Sequence, residues 1–430
     1  MSFRCGSCAY RSPKWMGFCP QCRSPEPLEE VSGGPARAAT GPLPPVARVG
    51  PTVDDAEHRI PVGMPEVDRV LGGGLVVGSV LLLGGEPGVG KSTLVLQAAA
   101  TLAAAGRTTL IATAEESAQQ VGLRARRLEA AHDRVLLIAD DDVDRILAVA
   151  DRERPDLLVV DSVQTVGVAE IESAPGGVAQ VRESAARIIR HAKRGGPATI
   201  LVGHVTKDGA LAGPKLLEHV VDVVLSLDGD PDRGFRVLRG LKNRFGPTHV
   251  AGIFDMRGSG LVEVADPSEA FLAAWEHDVA GTVAFPAVDG RRSILVEIQA
   301  LVSPSPLAQP RRSVRGLDPG RVHQVLAVLQ RHAGLSLADR EVYVNVVGGW
   351  RVDEPAADLA VAMAVASSAV DRPLGSTAAW GEVGLAGEVR AVPHDARRRE
   401  EAERVGLART AAPEPGSRLR LDEVLSRWGL

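Results

Sequence analysis

Residues 85–92 read GEPGVGKS, which fits the spacing G-x-x-x-x-G-K-S. Gly85, Glu86, Pro87, Gly88, Val89 and Gly90 then form a loop whose backbone N–H groups wrap phosphate oxygens, helped by the positive start of a following helix. In this arrangement Lys91 bridges the β- and γ-phosphates of ATP, Ser92 holds Mg2+, and Thr93 completes the nucleotide-binding set. Gly88 and Gly90 keep side chains out of the anion's path. A second set of chemistry-bearing residues lies at the front of the chain. Cys5, Cys8, Cys19 and Cys22 form two CxxC turns separated by ten residues, a tetrahedral sulfur set that suits Zn2+. The set leaves no open ligand position and has no His or carboxylate base beside it, so the zinc is expected to be structural. A module of about 25 residues is then expected to unfold without its metal. A redox CxxC is the alternative, but that motif opens a helix in a βαβ context and needs no second pair.

Asp161 ends the apolar run LLVVD and stands where a second Mg2+ anchor acts through water. The alternative for it is a strand-end Asp capping a turn. Glu115 follows TTLIAT and could reach a water beside the γ-phosphate as general base. Residue chemistry does not separate it from Glu116, nor from a helix-capping carboxylate. His204 closes ATILVGH, as a γ-phosphate sensor or as a structural hydrogen-bond partner. Lys242 and Arg244 bracket Asn243 in LKNRFG, and no acidic residue lies between Phe235 and Gly246. In an extended segment, residues two apart share a face, so both charges would enter one phosphate site. They follow two apparent antiparallel edge strands, VVDVVLSLDG and FRVLRGL. The expected negative partner is therefore the ATP of a neighbouring subunit; the alternative is a solvated or DNA-facing basic turn.

These residues need an α/β scaffold. SVLLLG, TTLIAT, RVLLIA, PDLLVVDS and ATILVGH read as buried strands, and LVLQAAATLAAA reads as an apolar helix ending at Gly106. Loops at the carboxyl ends of such strands bind ligands. At 430 residues the chain exceeds what one core sustains. We expect a zinc module at 1–28, a Gly/Pro/Ala-rich linker at 29–55, an ATPase domain at 56–265 and a further domain at 266–430. Aromatics are only 3%, so Val, Leu and Ala must fill the cores. A net charge of −5 argues against a uniformly basic nucleic-acid coat but permits local basic strips. The start MSFRCGSCAY does not read as a secretory signal, and no apolar run approaches a membrane span. The expected compartment is cytoplasmic, where structural disulfides are not expected.

The last portion reads as α+β, with strands ILVEIQALV and EVYVNVVG, helices DPGRVHQVLAVLQRHAG and PAADLAVAMAVASSAV, and a hairpin in GEVGLAGEVRAV. PRRSVRG reads as an exposed loop, which makes Arg311, Arg312 and Arg315 candidates for DNA phosphate contact or for solvated surface. The loops after Asp161 and after His204 are candidates to line a DNA channel, with Lys207 the sharper choice; ordinary surface is the alternative. In the zinc module, Tyr10 and Lys14-Trp15 either touch DNA or a partner protein, or pack beside the metal.

Taken in order, CGSCAYRSPKWMGFCPQC, GEPGVGKST, LLVVDSVQT and LKNRFG resemble the bacterial RadA (Sms) family of DNA repair proteins. The likeness spans essentially the whole chain. It implies a RecA-like P-loop ATPase core, an N-terminal four-cysteine zinc module and a C-terminal Lon-protease-like α+β domain. It further implies a hexameric, DNA-stimulated ATPase that acts on recombination intermediates and extends branches made by the RecA recombinase. By the same match the base falls on Glu115, the phosphate sensor on His204, and the magnesium contacts on Ser92 and Asp161. Lon-type proteases carry a nucleophilic Ser and a catalytic Lys; the matching positions here are Ala356 and Ala396, with Glu354 where that family has Gly. A methyl group neither attacks a carbonyl nor takes a proton, so peptidase activity is not expected.

The expected function is ATP hydrolysis coupled to movement on single-stranded or branched DNA, using ATP, Mg2+ and Zn2+ in a homo-oligomer. Two rivals stand beside it. One is a nucleotide-gated DNA clamp or adaptor with little turnover, against which the full set Lys91, Glu115, Asp161, Lys242 and Arg244 argues. The other is an ATP-dependent protease, against which the two alanines argue.

Overall fold

The structure is a computed structural model. It describes residues 2–8, 10–31, 59–171, 173–174, 176–203, 216–229, 235–248, 250–290, 292–407, 409–414 and 416–430. The chain divides into two units, Met1–Asp54 and Asp55–Leu430. Among the described residues no helix is long and apolar enough to cross a membrane.

In the second unit, helix α1 (Pro65–Leu71) precedes a run in which strands and helices alternate. These are β1 (Val80–Gly84), α2 (Lys91–Ala104), β2 (Thr109–Thr113), α3 (Ala118–Arg127), β3 (Val135–Ala139), α4 (Val143–Glu153), β4 (Leu157–Asp161), α5 (Val178–Lys193), β5 (Ala198–Val202), α6 (Leu216–Val220) and β6 (Val223–Asp228). Three antiparallel strands follow: β7 (Phe235–Asn243), β8 (Ala251–Arg257) and β9 (Gly260–Glu263). Together the strands form one sheet in the order β9-β8-β7-β6-β1-β5-β4-β2-β3, with β6 through β3 parallel. Every residue of β1, β2 and β5 is buried, as strands covered by helices on both faces require. Two cores follow from this layering, one on each face. The sequence pattern takes β6 and β7 for edge strands; both are interior, because β8 and β9 extend the sheet beyond them. The turn at Gly258 and the short AGIFDMR run carried that information.

A second sheet is built from β10 (Thr282–Asp289), β11 (Arg292–Pro304), β12 (Arg312–Arg315), β13 (Arg340–Val346), β14 (Thr377–Ala379) and β15 (Arg409–Ala411), in the order β12-β13-β11-β10-β14-β15. Helix α7 (Pro267–Leu272) enters this portion, α8 (Pro319–His332), α9 (Asp358–Val370), α10 (Asp395–Arg404) and α11 (Leu421–Trp428) follow, and Glu382–Val383, Glu388–Arg390 and Leu419–Arg420 form a small third sheet. Residues 358–367 of α9 are all buried, which its Ala-rich sequence allows by permitting close approach. The core of this portion continues onto β7 and β8 through Val237, Ala251 and Ile253. Charged ties reinforce the join: Arg292 to Glu66 of α1 at 3.3 Å, and Arg239 of β7 to Asp289 at 3.2 Å.

PRRSVRG does not stay a loop. Arg312–Arg315 pairs in parallel with Val342–Asn345. Arg312 donates to the carbonyls of Arg340 and Leu337, so it is spent inside the chain, while Arg311 and Arg315 remain exposed. The signal for a strand was the alternation in RSVR, which the three arginines of PRRSVRG mask.

The first unit is a three-stranded sheet, Arg11–Ser12, Ser2–Arg4 and Glu29–Val31 in that spatial order, with a small core of Cys5, Cys19 and Leu28.

Candidate active site and metal centre

The sequence places the phosphate loop directly after β1, and the structure keeps it there, leading into the N-terminus of α2. The backbone is left-handed at Gly90 (φ 115°), where a Cβ would stand 2.6 Å from Met256. At Gly85 a Cβ would meet the Leu227 carbonyl oxygen at 2.5 Å. Gly85 therefore leaves no room for a side chain, and Gly90 needs glycine for its left-handed backbone. Lys91 is buried, and its ammonium donates to the carbonyls of Gly85 (2.9 Å) and Glu86 (3.0 Å). Burial lowers its pKa, while the charges of Asp161 and Glu115 oppose that shift. Glu86, Pro87 and Gly88 are exposed at the loop's crest.

Asp161 ends β4, in register with Thr113 at the end of β2 and Val202 at the end of β5. All three lie at the same sheet edge as Gly84, which brings the loop, Asp161 and Glu115 together. The Ser92 hydroxyl hydrogen-bonds Asp161, opposing the rise in its pKa that burial causes. This is the donor pair that Mg2+ needs: a hydroxyl and a carboxylate on adjoining elements.

The two glutamates differ in their partners. Glu115 Oε1 accepts from Ser162 Oγ at 2.6 Å, and Ser162 is fully buried. Thr165 Oγ1 holds Ser162 in turn, donating to its carbonyl at 2.9 Å. Glu116 instead pairs with Arg124 of α3, and its backbone N–H is capped by Thr113 Oγ1 at 3.1 Å. The sequence reading missed Ser162 and Arg124. Ser162 sat in plain view, next to Asp161 in LLVVDS; nothing in the sequence pairs Arg124 with Glu116.

Lys242 and Arg244 both find partners within their own chain. Strand β7 ends at Asn243, so Arg244 falls in a bend, yet both side chains turn to one stretch of their own chain, residues 218–222. Lys242 Nζ donates to the carbonyls of Glu218 (2.8 Å), His219 (3.2 Å) and Val221 (2.8 Å) at the end of α6. Arg244 meets Asp222 at 3.3 Å, with its side chain 54% exposed. Asp222, buried, also takes Lys193 at 2.5 Å and the Val80 N–H at 3.0 Å. The basic run LKNRFG thus has a negative partner within its own chain, and no sequence spacing announced it. The turn is braced from α1: Asn243 Nδ2 donates to the Leu71 carbonyl at 3.1 Å, and Arg59 donates to the Phe245 carbonyl.

Register fixes where this turn lies. Asn243 pairs with Val223, which pairs with Leu81, and the Arg244 N–H donates to the Asp222 carbonyl beside the start of β1. The phosphate loop begins past the other end of β1. Four strand steps from Val80 to Gly84 span about 13 Å, whereas the six bonds of an Arg side chain reach at most about 8 Å. Arg244 therefore faces away from the phosphate loop of its own chain.

His204 and Lys207 lie outside the described residues. Ala356 sits buried in the turn Pro355–Ala357 ahead of α9, and Ala396 is exposed near the start of α10. Glu354 pairs with Arg398, which is 1% exposed and lies over the Phe285 ring. Ser367 Oγ donates to the Arg372 carbonyl and Ser368 Oγ accepts from Val302 N–H; both hydroxyls serve the backbone.

In the first unit the four cysteine sulfurs lie within 4.8 Å of one another. Cys5 and Cys22 are 3.7 Å apart, and Cys8 and Cys19 are 3.6 Å apart. Tetrahedral ligation at Zn–S of about 2.3 Å sets sulfurs about 3.8 Å apart, so the set fits zinc and not disulfides. The Cys8 backbone N–H, above other causes, draws the Cys5 thiol down to about 6. Cys22 receives a lowering hydrogen bond from Ser24, yet Cys8, burial and the other two thiols push it up to about 12. A dication would relieve that crowding of sulfur charge. Tyr10 packs against this core.

Two family models match the chain: an AAA domain at residues 47–210 and a rubredoxin metal binding domain at residues 3–30. Among similar proteins, the DNA repair protein RadA of Pseudomonas aeruginosa is 46% identical, covering 96% of this chain and 92% of its own. RadA of Listeria monocytogenes is 43% identical over 96% and 91%, and that of Escherichia coli is 44% identical over 100% and 96%. With the phosphate loop, the Glu115–Ser162 pair and the four-cysteine centre in place, these near-full-length matches settle the kinship: the chain belongs to the RadA family of DNA repair proteins.

Proposed function

We propose that this protein is a DNA-stimulated ATP hydrolase of recombinational repair whose active site is shared between two copies of the chain. Membership of the family and the AAA domain carry ATP hydrolysis and the DNA-repair role. The shared site rests on one observation: Arg244 is half exposed at the sheet edge opposite its own phosphate loop.

The chemistry follows from the residues. The loop N–H groups of 85–90 and the Lys91 ammonium bind the β- and γ-phosphates, Lys91 exchanging two carbonyls for phosphate oxygens. Ser92 and Asp161 are the residues that would hold Mg2+, which neutralises phosphate charge when bound. Ser162 Oγ–H donates to Glu115 Oε1 and so turns Oε2 towards the attacking water, whose proton Glu115 accepts as the water oxygen bonds to the γ-phosphorus and the bond from that phosphorus to the β,γ-bridging oxygen breaks, releasing ADP with its charge on the β-phosphate. Arg244 of an adjacent copy meets the charge that develops on the transferred phosphoryl group. Lys242 follows only by releasing the α6 carbonyls. His204 is the γ-phosphate sensor by resemblance.

The finer features belong to the same reading. The assembly is a hexameric ring in the cytoplasm, with domains at 56–265 and 266–430 joined by the linker 29–55 to the zinc module 1–28. Movement on single-stranded or branched DNA extends strand-exchange products with the RecA recombinase. Arg311 and Arg315 are the exposed arginines that suit DNA phosphates, and Lys207 is a further candidate from the sequence. The C-terminal portion is a Lon-protease-like scaffold without a nucleophile.

Phosphate release with and without single-stranded DNA tests this reading. Turnover that rises with DNA and collapses in Arg244→Ala, with nucleotide still bound, is the expected result. A rate indifferent to DNA and to Arg244 would leave a nucleotide-gated clamp instead, and cleavage of an unstructured peptide would revive the protease.

A further inference from the structure

Among the described residues, Trp15 and Phe18 are the only exposed aromatic rings, at 62% and 60%. A protein with 3% aromatics places both on one four-residue stretch of its smallest module. The local fold explains how they are displayed. Lys14 N–H donates to Ser12 Oγ at 3.1 Å, which turns the chain out of the strand. Leu28 N–H donates to the Met16 carbonyl at 2.9 Å, and the Met16 side chain packs inward on Cys5, Cys19 and Leu28. With Met16 fixed inward, the rings of Trp15 and Phe18 stand outward on either side of it.

The surroundings are basic. Residues 1–25 contain Arg4, Arg11, Lys14 and Arg23 and no carboxylate, and Lys14 and Arg23 are exposed. The acidic residues of the module start at Glu26 and continue on the strand Glu29–Val31. Rings flanked by cations suit a ligand with flat faces and a polyanionic backbone.

Area decides between a protein partner and a nucleic-acid strand. A stable protein interface takes about 800 Å² from each partner, while two aromatic rings supply at most about 500 Å² even when wholly buried. The other exposed residues from Pro13 to Arg23 are Pro13, Lys14, Gly17, Pro20, Gln21, Cys22 and Arg23, none of them a large apolar side chain. An unpaired nucleotide needs only one ring per base, and such stacking tolerates any base. Bases inside a duplex are already stacked and offer no face.

We infer that Trp15 and Phe18 form a stacking platform for the bases of single-stranded DNA, with Lys14 and Arg23 on the phosphates. The zinc module thereby grips an unpaired strand independently of the ATP site.

The test uses the full zinc-loaded protein and a fluorescent oligothymidylate. Zinc content and DNA-independent phosphate release are measured in parallel. Replacing both rings by Ala, and separately by Leu, is expected to weaken binding roughly tenfold to a hundredfold. Replacing both by Tyr is expected to retain binding. The aromatic part of the affinity persists as salt rises, while the phosphate part falls. Should the alanine pair lose zinc, the leucine and tyrosine pairs decide. Leucine variants that bind oligothymidylate like the parent protein overturn the platform and mark the patch as an apolar protein-docking site. Equal losses for duplex and single strand overturn it too.

Discussion

Replacing Ser162 by Ala removes one oxygen and leaves the ATPase sheet otherwise intact. That oxygen is fully buried and donates to Glu115 Oε1 at 2.6 Å. A hydrogen bond to an ionised carboxylate contributes about 1.5–3 kcal/mol. If Ser162 holds Glu115 in the orientation that accepts the water proton, the loss appears in the transition state, and 1.36 kcal/mol per decade makes it roughly a 10- to 100-fold fall in kcat. Nucleotide affinity should change little, because the phosphates are held by Lys91 and the loop. Steady-state phosphate release gives kcat and KM, and a fluorescent nucleotide gives Kd. The same substitution made in a Glu115→Gln background should be nearly silent, since the two act as one unit. A kcat within about twofold of the parent, or an undiminished effect in the Glu115→Gln background, would refute the positioning role.

Three more outcomes follow from the geometry. Glu115→Gln should abolish most turnover while Glu116→Gln retains most of it, because Glu116 is occupied by Arg124; phosphate release by the two variants checks this. Burial raises the Asp161 pKa, so protons compete with Mg2+ at higher pH than at an ordinary Asp: the Mg2+ concentration for half-maximal turnover should climb as pH falls through that raised value, and a flat Mg2+ requirement would count against it. Glu354→Ala leaves the Arg398 guanidinium buried without its carboxylate, a change of about 3 kcal/mol. Chemical denaturation should show the loss, and Arg398→Met with Glu354→Leu together should recover most of it.

Much of the motor was legible in the sequence because its constraints are local. A phosphate loop must follow a strand and open a helix, so GEPGVGKST located β1, the loop and α2 at once. Asp161 and Glu115 fell into place as residues ending strands on one edge. Four cysteines in two CxxC turns specified their centre through ligand chemistry alone. What stayed hidden depends on long-range pairing. The carboxylate that meets Arg244, Asp222, is 22 residues away and reaches it through the β6–β7 register. The carbonyls that hold Lys242 belong to a helix end, and backbone acceptors carry no residue signature. Strands β8 and β9 were passed over because AGIFDMR is short, and the edge assignment of β6 and β7 failed with them. RSVR was misread because arginines on a strand look like loop residues when only composition is weighed. His204 and Lys207 lie outside the described residues.

Mixing two inactive variants tests the shared site most directly. Lys91→Ala loses phosphate binding but keeps its Arg244; Arg244→Ala keeps an intact phosphate loop but lacks the guanidinium for its neighbour. Random co-assembly at equal amounts pairs an intact loop with an intact Arg244 at roughly a quarter of interfaces. Phosphate release should therefore return on mixing to about that fraction of the parent rate, and should vanish on dilution below assembly. A mixture as inactive as its components, or an Arg244→Ala protein that is fully active alone, would contradict the account.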